Sequence, residues 1–327
     1  MITVEVDNRV RLMSALLALT TWPEQEQAFK PHGVHAHARR TREALAEFEY
    51  HPAVISMQEV LETDHPLSEI FSYSSYLSLP GLRLQGHAPQ WSPTDWHILI
   101  RDFAIRSHVN DVWERDHAAW DSAAEESRRA LEPGDPREML ARFFGPLNVD
   151  LIFMPNISYP TADSLGFRDK RRLIAVVPPP IAWGTNPPWP YDDNPADTPR
   201  DAFSTYARTL LREMLDAHPE EAEAARKVKL PVPNIFMSRH PGWFDQFAVL
   251  FVSGLTAIYL REVFGEVESK AYIMMVHKAH GFEALPSVID VLENYLQLQA
   301  EGKYSTFIEY LPIFTKSLRV AENLKKI

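Results

Sequence analysis

The sequence predicts an α+β chain that is predominantly helical and carries one small sheet. Three observations lead there. Apolar residues recur at helical spacing over most of the 327 residues. Only three short stretches have strand character: Thr3–Val6, Val149–Met154 and Arg172–Val177. Glycine and proline punctuate the remainder at positions that start or stop helices.

The elements follow in order. Thr3-Val4-Glu5-Val6 alternates as a half-buried strand. Asp7 or Asn8 then caps a helix through Val10, Leu12, Met13, Leu16, Leu17 and Leu19. Residues 22–34, with Pro23, Pro31 and Gly33, read as a loop. Helical spacing resumes over Ala36–Phe48. Pro52 suits the first turn of the next helix, which passes through Val54, Met57, Val60 and Leu61. Another helix falls near Leu67–Leu77, and Pro80–Pro93 is a connection. Pro93-Thr94-Asp95 opens a helix through Trp96, Leu99, Ile100 and Phe103 that runs on towards Trp120. Arg137–Phe144 is stopped by Gly145-Pro146.

Strands Val149–Met154 and Arg172–Val177 are expected to join the N-terminal strand. Residues 178–199 form an extended proline-rich loop, whose Trp183, Trp189 and Tyr191 predict packing against the body. Thr198 is the expected N-cap of a helix reaching His218, with Pro199 in its first turn. Helices over Gly242–Phe264, Val267–His280, Leu285–Ala300 and Tyr304–Leu318 complete the chain. The expectation is a single unit over 1–327. A subdivision would give an N-terminal helical part over 1–145, the sheet and proline loop over 146–197, and a C-terminal helical part over 198–327.

Composition excludes several functions. The net charge of −11 argues against a nucleic-acid binder and against an anionic lipid surface. The basic clusters Arg39-Arg40 and Lys170-Arg171-Arg172 are too short to reverse this. With no cysteine, there is no disulfide, thiolate metal site or cysteine nucleophile. The N-terminus lacks signal-peptide character, and the apolar run Phe247–Leu260 is too short to span a membrane. The expected location is cytoplasmic. Nucleophile-elbow, Walker, dinucleotide-binding and calcium-loop motifs are missing.

Histidine remains as a route to chemistry. His32, His35 and His37 cluster, and on a strand His35 and His37 would point the same way as a metal pair; a solvated loop before a helix is the plainer account. His277 and His280 share a helix face, either as a metal pair or as cations meeting the helix dipole before Gly281. His240, in Ser238-Arg239-His240-Pro241, serves a site at the next helix start or is a loop residue.

Several segments carry a resemblance. They are Val4-Glu5-Val6-Asp7, His51-Pro52-Ala53-Val54, Arg101-Asp102-Phe103, Phe143-Phe144-Gly145, Lys303-Tyr304-Ser305-Thr306-Phe307 and Tyr310-Leu311-Pro312. In that order, over nearly the whole chain, they resemble a family of uncharacterised bacterial proteins of unknown function, with a gluzincin-like zinc-metallopeptidase plan. The resemblance implies a small sheet plus helices in a gluzincin-like arrangement. It also implies an active-site helix after the proline loop, where two histidines at i and i+4 would hold zinc around a catalytic glutamate.

That helix instead reads Arg212-Glu213-Met214-Leu215-Asp216. Arg212 and Asp216 stand at the ligand positions, Glu213 at the base, and Asp245 near the downstream ligand. Arginine cannot ligate a metal. The expectation is therefore a degenerate cluster of Arg212, Glu213, Asp216 and Asp245, with an Arg212–Asp216 ion pair and no cofactor. An exposed amphipathic helix is the competing account. The function implied is a non-catalytic pseudo-peptidase that binds a peptide or protein, with Arg172–Val177 as an edge strand and the aromatic loop lining a cleft. One alternative is an active hydrolase with relocated zinc ligands His218, His240 and Asp245 and with Glu213 as base. Another is a structural helical protein with an oligomer interface on Trp243–Val263, its oligomeric state open.

Overall fold

The computed structural model describes residues 1–28, 33–181 and 186–325. The fold is α+β and predominantly helical, with one small sheet. The backbone clusters into two compact units: residues 1–132 with 149–202, and residues 133–148 with 203–327.

The first unit holds the sheet. Its strands are β1 (Thr3–Val4), β2 (Asp150–Pro155), β3 (Leu165–Asp169) and β4 (Arg172–Val177), in the order β1-β2-β4-β3. β1 and β4 pair parallel with β2, and β3 pairs antiparallel with β4. Strand β3 was not expected: its Leu165-Gly166-Phe167-Arg168-Asp169 is too polar and too short to stand out alone. Its presence makes β4 an interior strand, flanked by β2 and β3, so β4 has no free edge to offer a peptide. The even-numbered residues Ile152, Met154, Ile174 and Val176 enter the core together with the first helix, α1 (Asn8–Ala18). On the opposite face Phe153 meets Tyr191, with ring centroids 6.0 Å apart.

Asp7 caps α1 by accepting from the Arg9 N–H at 2.8 Å. Residues 22–34 are not all loop, because Pro23 sits at the start of α2 (Trp22–Gln27), where its missing N–H costs nothing. Helices α3 (Ala36–Leu45) and α4 (Pro52–Leu61) begin on histidine caps. The His35 Nδ1 accepts from the Ala38 N–H at 3.3 Å, and the His51 Nδ1 from the Ala53 N–H at 3.2 Å. After α5 (Leu67–Ser72), the helix expected to run from Trp96 towards Trp120 is three: α6 (Trp96–Arg106), α7 (Val109–Arg115) and α8 (His117–Leu131). His108 breaks the first junction with a left-handed φ of 49°.

The proline-rich loop is pinned by Tyr191. Its hydroxyl donates to the Val177 carbonyl at 2.7 Å and accepts from the Asn156 N–H at 3.0 Å. Its N–H donates to Glu126 at 3.2 Å. Trp189 is half exposed and Trp183 lies outside the described residues. Helix α10 (Asp197–Ala217) starts one residue before the expected cap: the Thr198 hydroxyl donates to the Tyr191 carbonyl at 2.6 Å and so anchors the loop.

The second unit is helical: α9 (Arg137–Phe144), most of α10, α11 (Pro219–Arg226), α12 (Asn234–Arg239), α13 (Trp243–Phe264), α14 (Glu266–His280), α15 (Leu285–Ala300) and α16 (Phe307–Lys325). Helix α12 was not expected because its six residues show no period, and α11 was not expected because it buries only Ala222 and Ala225, which give too weak an apolar signal. The first turn of the last helix was expected at Tyr304 and forms at Phe307, after Gly302 turns with a φ of 73°. α13 is buried along most of its length, so its apolar residues are core. Gly254 lets α15 approach α13 closely: a Cβ there would lie 2.7 Å from the Val288 Cγ1 and 2.8 Å from the Leu292 Cδ1. Phe203 on α10 stacks on Tyr259 of α13 at 4.2 Å. At 22 residues, α13 is longer than the apolar run inside it. It passes by length and composition as a span, with 72% of its most apolar window buried.

Candidate functional site

On the substituted helix, Arg208 and Arg212 meet the start of α13, and the expected Arg212–Asp216 ion pair is not made. Arg208 and Arg212 lie one turn apart on α10, a spacing that gives them a shared face. Both are exposed. Opposite them, Gly242 precedes α13, so Phe244 and Asp245 sit in its first turn. The Arg212 guanidinium lies 3.8 Å from the centroid of the Phe244 ring. Arg208 is 6.0 Å from the same ring and pairs with Asp245, Nη2 to Oδ1 2.9 Å. The partner of Asp245 is therefore Arg208, a residue the expected cluster did not include. Among the described residues Arg212 forms no ion pair, and the i, i+4 pair with Asp216 is not made. The physical reason is exposure: water solvates both groups, and a flat cation gains more from an aromatic face than from a screened carboxylate. Glu213 is half buried and Asp216 exposed.

Around this contact, Arg226 of α11 lies 6.0 Å from the Trp243 ring. The Trp243 indole N–H is buried without a hydrogen-bond partner. Trp243 itself stacks on Phe247 at 4.8 Å.

The relocated zinc ligands are not brought together. His218 is exposed ahead of α11, and its backbone N–H donates to the Leu215 carbonyl. The His240 ring packs on Phe236 at 4.3 Å and lies 6.1 Å from His280, in a cluster with Phe282. Asp245 is held by Arg208. Among the described residues, no three His, Asp or Glu side chains form a group that could hold a metal ion.

The histidine pairs have local explanations. His35 caps α3 and His37 lies inside its first turn, so they are not side by side on a strand. His37 contacts Arg40, which also pairs with Asp116 at 3.2 Å. Burial and the Arg40 charge together hold the His37 imidazole below its ordinary pKa. His32 lies outside the described residues. His277 and His280 occupy the last turn of α14, where the Gly281 N–H donates to the His277 carbonyl at 2.7 Å, with Gly281 at a φ of 68°.

The first unit holds an arginine that the sequence reading passed over. The Arg11 guanidinium lies between Trp113 at 4.4 Å and Trp120 at 4.3 Å. Burial lowers its pKa to about 10, against the opposing pull of Asp116 and Asp121. Its Nη1 donates to the Asn8 Oδ1 at 3.0 Å. No spacing signal links position 11 to 113 and 120.

Comparison with protein-family models, with curated proteins and with solved structures gives no match. The zinc-peptidase plan therefore rests on the order of sequence segments alone.

Proposed function

We propose that this chain is a non-catalytic binding protein that takes a peptide or protein partner on the surface formed by α10 and the start of α13. The observation that carries the reading is Arg212 seated on Phe244. The position where the resemblance implies a first zinc ligand holds a permanently charged guanidinium, and it is engaged with an aromatic ring. The neighbouring carboxylate, Asp245, is committed to Arg208. Together these contacts suit recognition better than metal-assisted hydrolysis. The partner would not add to the sheet at β4, which is interior.

The test is elemental analysis after zinc loading and dialysis, with a cleavage assay on an unfolded protein substrate. The expected result is substoichiometric zinc and no cleavage. One equivalent of retained zinc, or cleavage abolished by Glu213→Gln, overturns the reading.

A second reading, an oligomer, is favoured by α14, which exposes Val267, Met274 and Met275. Sedimentation of Met274→Glu beside the wild type decides it. Identical monomer behaviour of both removes the oligomer.

A further inference from the structure

We infer that the outer face of α6 is a self-association surface, on which two copies of this chain lay their α6 helices side by side and parallel across a two-fold axis. The surface lies in the first unit, on a different helix from the α14 stripe, and does not depend on the binding reading.

α6 buries Trp96, Ile100 and Phe103 and turns its opposite side to solvent. That side carries Ile98 and Ile105, exposed to 44% and 65%. Seven residues bring an α-helix back to within about 20° of the same line, so the two side chains stand on one midline about 10 Å apart. Isoleucine forms helices less readily than the long polar residues, so local propensity gives no reason for either. The spacing is that of an interhelical seam. Beside α6, α4 exposes Ile55, and Tyr50 stands exposed just before its cap, so the apolar surface does not end at one helix.

The charges on this face say what covers it. Arg101 and Asp102 are both exposed and lie between the two isoleucines in the chain. Consecutive residues are about 100° apart around a helix, so one falls to the left of the midline and the other to the right. A two-fold axis running along the helix exchanges left and right. Each Arg101 then meets the partner's Asp102, twice over, while each isoleucine meets its own copy. Antiparallel pairing keeps left on left, and would set arginine on arginine and aspartate on aspartate. The face is therefore complementary to itself in one direction only.

The acidic half is already oriented. The His51 Nε2 donates to the Asp102 Oδ2 at 3.1 Å, and Arg106 approaches the same oxygen at 3.8 Å, which leaves Oδ1 to accept from outside. Arg101 makes no ion pair among the described residues, so the pairing breaks no contact that the single chain has made. A carboxylate held in place loses less freedom on binding.

The chain has no cysteine, so one introduced thiol reports on its own copy. Ile98→Cys and Ile105→Cys should each give disulfide-linked dimers under mild oxidation. Val267→Cys, 77% exposed on α14, should give none above background. Sedimentation of the wild type over micromolar concentrations should show a monomer–dimer equilibrium. Ile105→Glu should weaken it about 10-fold or more, by placing two charges on the midline. Arg101→Asp should weaken it as well, and Arg101→Asp with Asp102→Arg should restore it. Circular dichroism confirms that each variant is folded. A monomeric wild type, a dimer indifferent to Ile105→Glu, or equal cross-linking through Val267→Cys overturns the inference. So does a dimer that is lost with Met274→Glu and kept with Ile105→Glu. Cross-linking only in a mixture of the Ile98→Cys and Ile105→Cys proteins, or no recovery in the charge-swapped variant, overturns the parallel pairing.

Discussion

Arg212 and Phe244 meet at 3.8 Å between guanidinium carbon and ring centroid, joining the C-terminal part of α10 to the first turn of α13. An exposed cation on a half-buried ring such as Phe244 contributes about 0.5–1 kcal/mol. A double-mutant cycle of Arg212→Ala and Phe244→Ala, read by urea unfolding, should give a coupling of that size. The coupling should persist in high salt better than that of Arg208 with Asp245, whose pairing is screened. Strict additivity would show that ring and cation do not interact.

His51 links two helices of the first unit. Its Nδ1 accepts from the Ala53 N–H, so the proton sits on Nε2, which donates to the Asp102 Oδ2 at 3.1 Å. Replacing it by Ala removes the cap of α4 and should cost about 1–2 kcal/mol. His51→Asn keeps a capping acceptor and should cost less. Equal losses in chemical denaturation would place the contribution in packing against Phe103 and not in the cap.

Gly254 permits the close approach of α13 and α15. Ala at this position would press on the Val288 and Leu292 side chains, and the expected loss is about 1–3 kcal/mol. Pairing Gly254→Ala with Val288→Ala should recover part of it. A Gly254→Ala protein as stable as the wild type would mean that α15 shifts freely.

Buried tyrosines predict alkaline sensitivity. Burial pushes Tyr73 and Tyr159 up to about 12, and raises Tyr191, Tyr206, Tyr259 and Tyr295 as well. In the unfolded chain these phenols ionise near pH 10. The unfolded state therefore releases protons first, and stability falls as pH rises from about 10 towards about 12. His37 acts at the other end. Its folded pKa is lowered, so the unfolded state gains a proton first, and stability falls as pH drops through about 6.5. Urea midpoints across pH should form a plateau between these limits. Tyrosinate absorbance that reaches the full value for all eleven tyrosines near pH 10 with no loss of fold would contradict the alkaline limb.

The long helices were legible because burial on one side imposes a period, as over Leu285–Ala300; in the shorter Arg137–Phe144 the large apolar Met139, Leu140 and Phe143 and the stop at Gly145 served instead. Short pieces escaped because a single turn carries no period, as in α2 and α12, or because small alanines mark the buried side, as in α11; strand β3 is too short and polar to stand out. β4 could be read as a strand, but its place inside the sheet depended on the unseen β3. At the candidate site, the helix that carries Arg212 and the start of the helix that carries Asp245 were legible as elements, and Arg208 stood one turn before Arg212 in plain view. The choice of partners was not. Which carboxylate Arg208 takes, and that Arg212 takes a ring, depend on the angle at which α10 meets the start of α13, and no local pattern encodes that angle.

The burial of α13 has a consequence for how the chain is made. The helix passes as a membrane span by length and composition, and two of the helices packed along it, α14 and α15, lie after it in the chain. When α13 leaves the ribosome, α14 and α15 are still inside the exit tunnel and cannot yet pack on it. During that interval an insertion apparatus and a chaperone would compete for the same segment. A message truncated between residues 265 and 300 should therefore yield a product that associates with membranes or aggregates, whereas the full-length chain buries the segment.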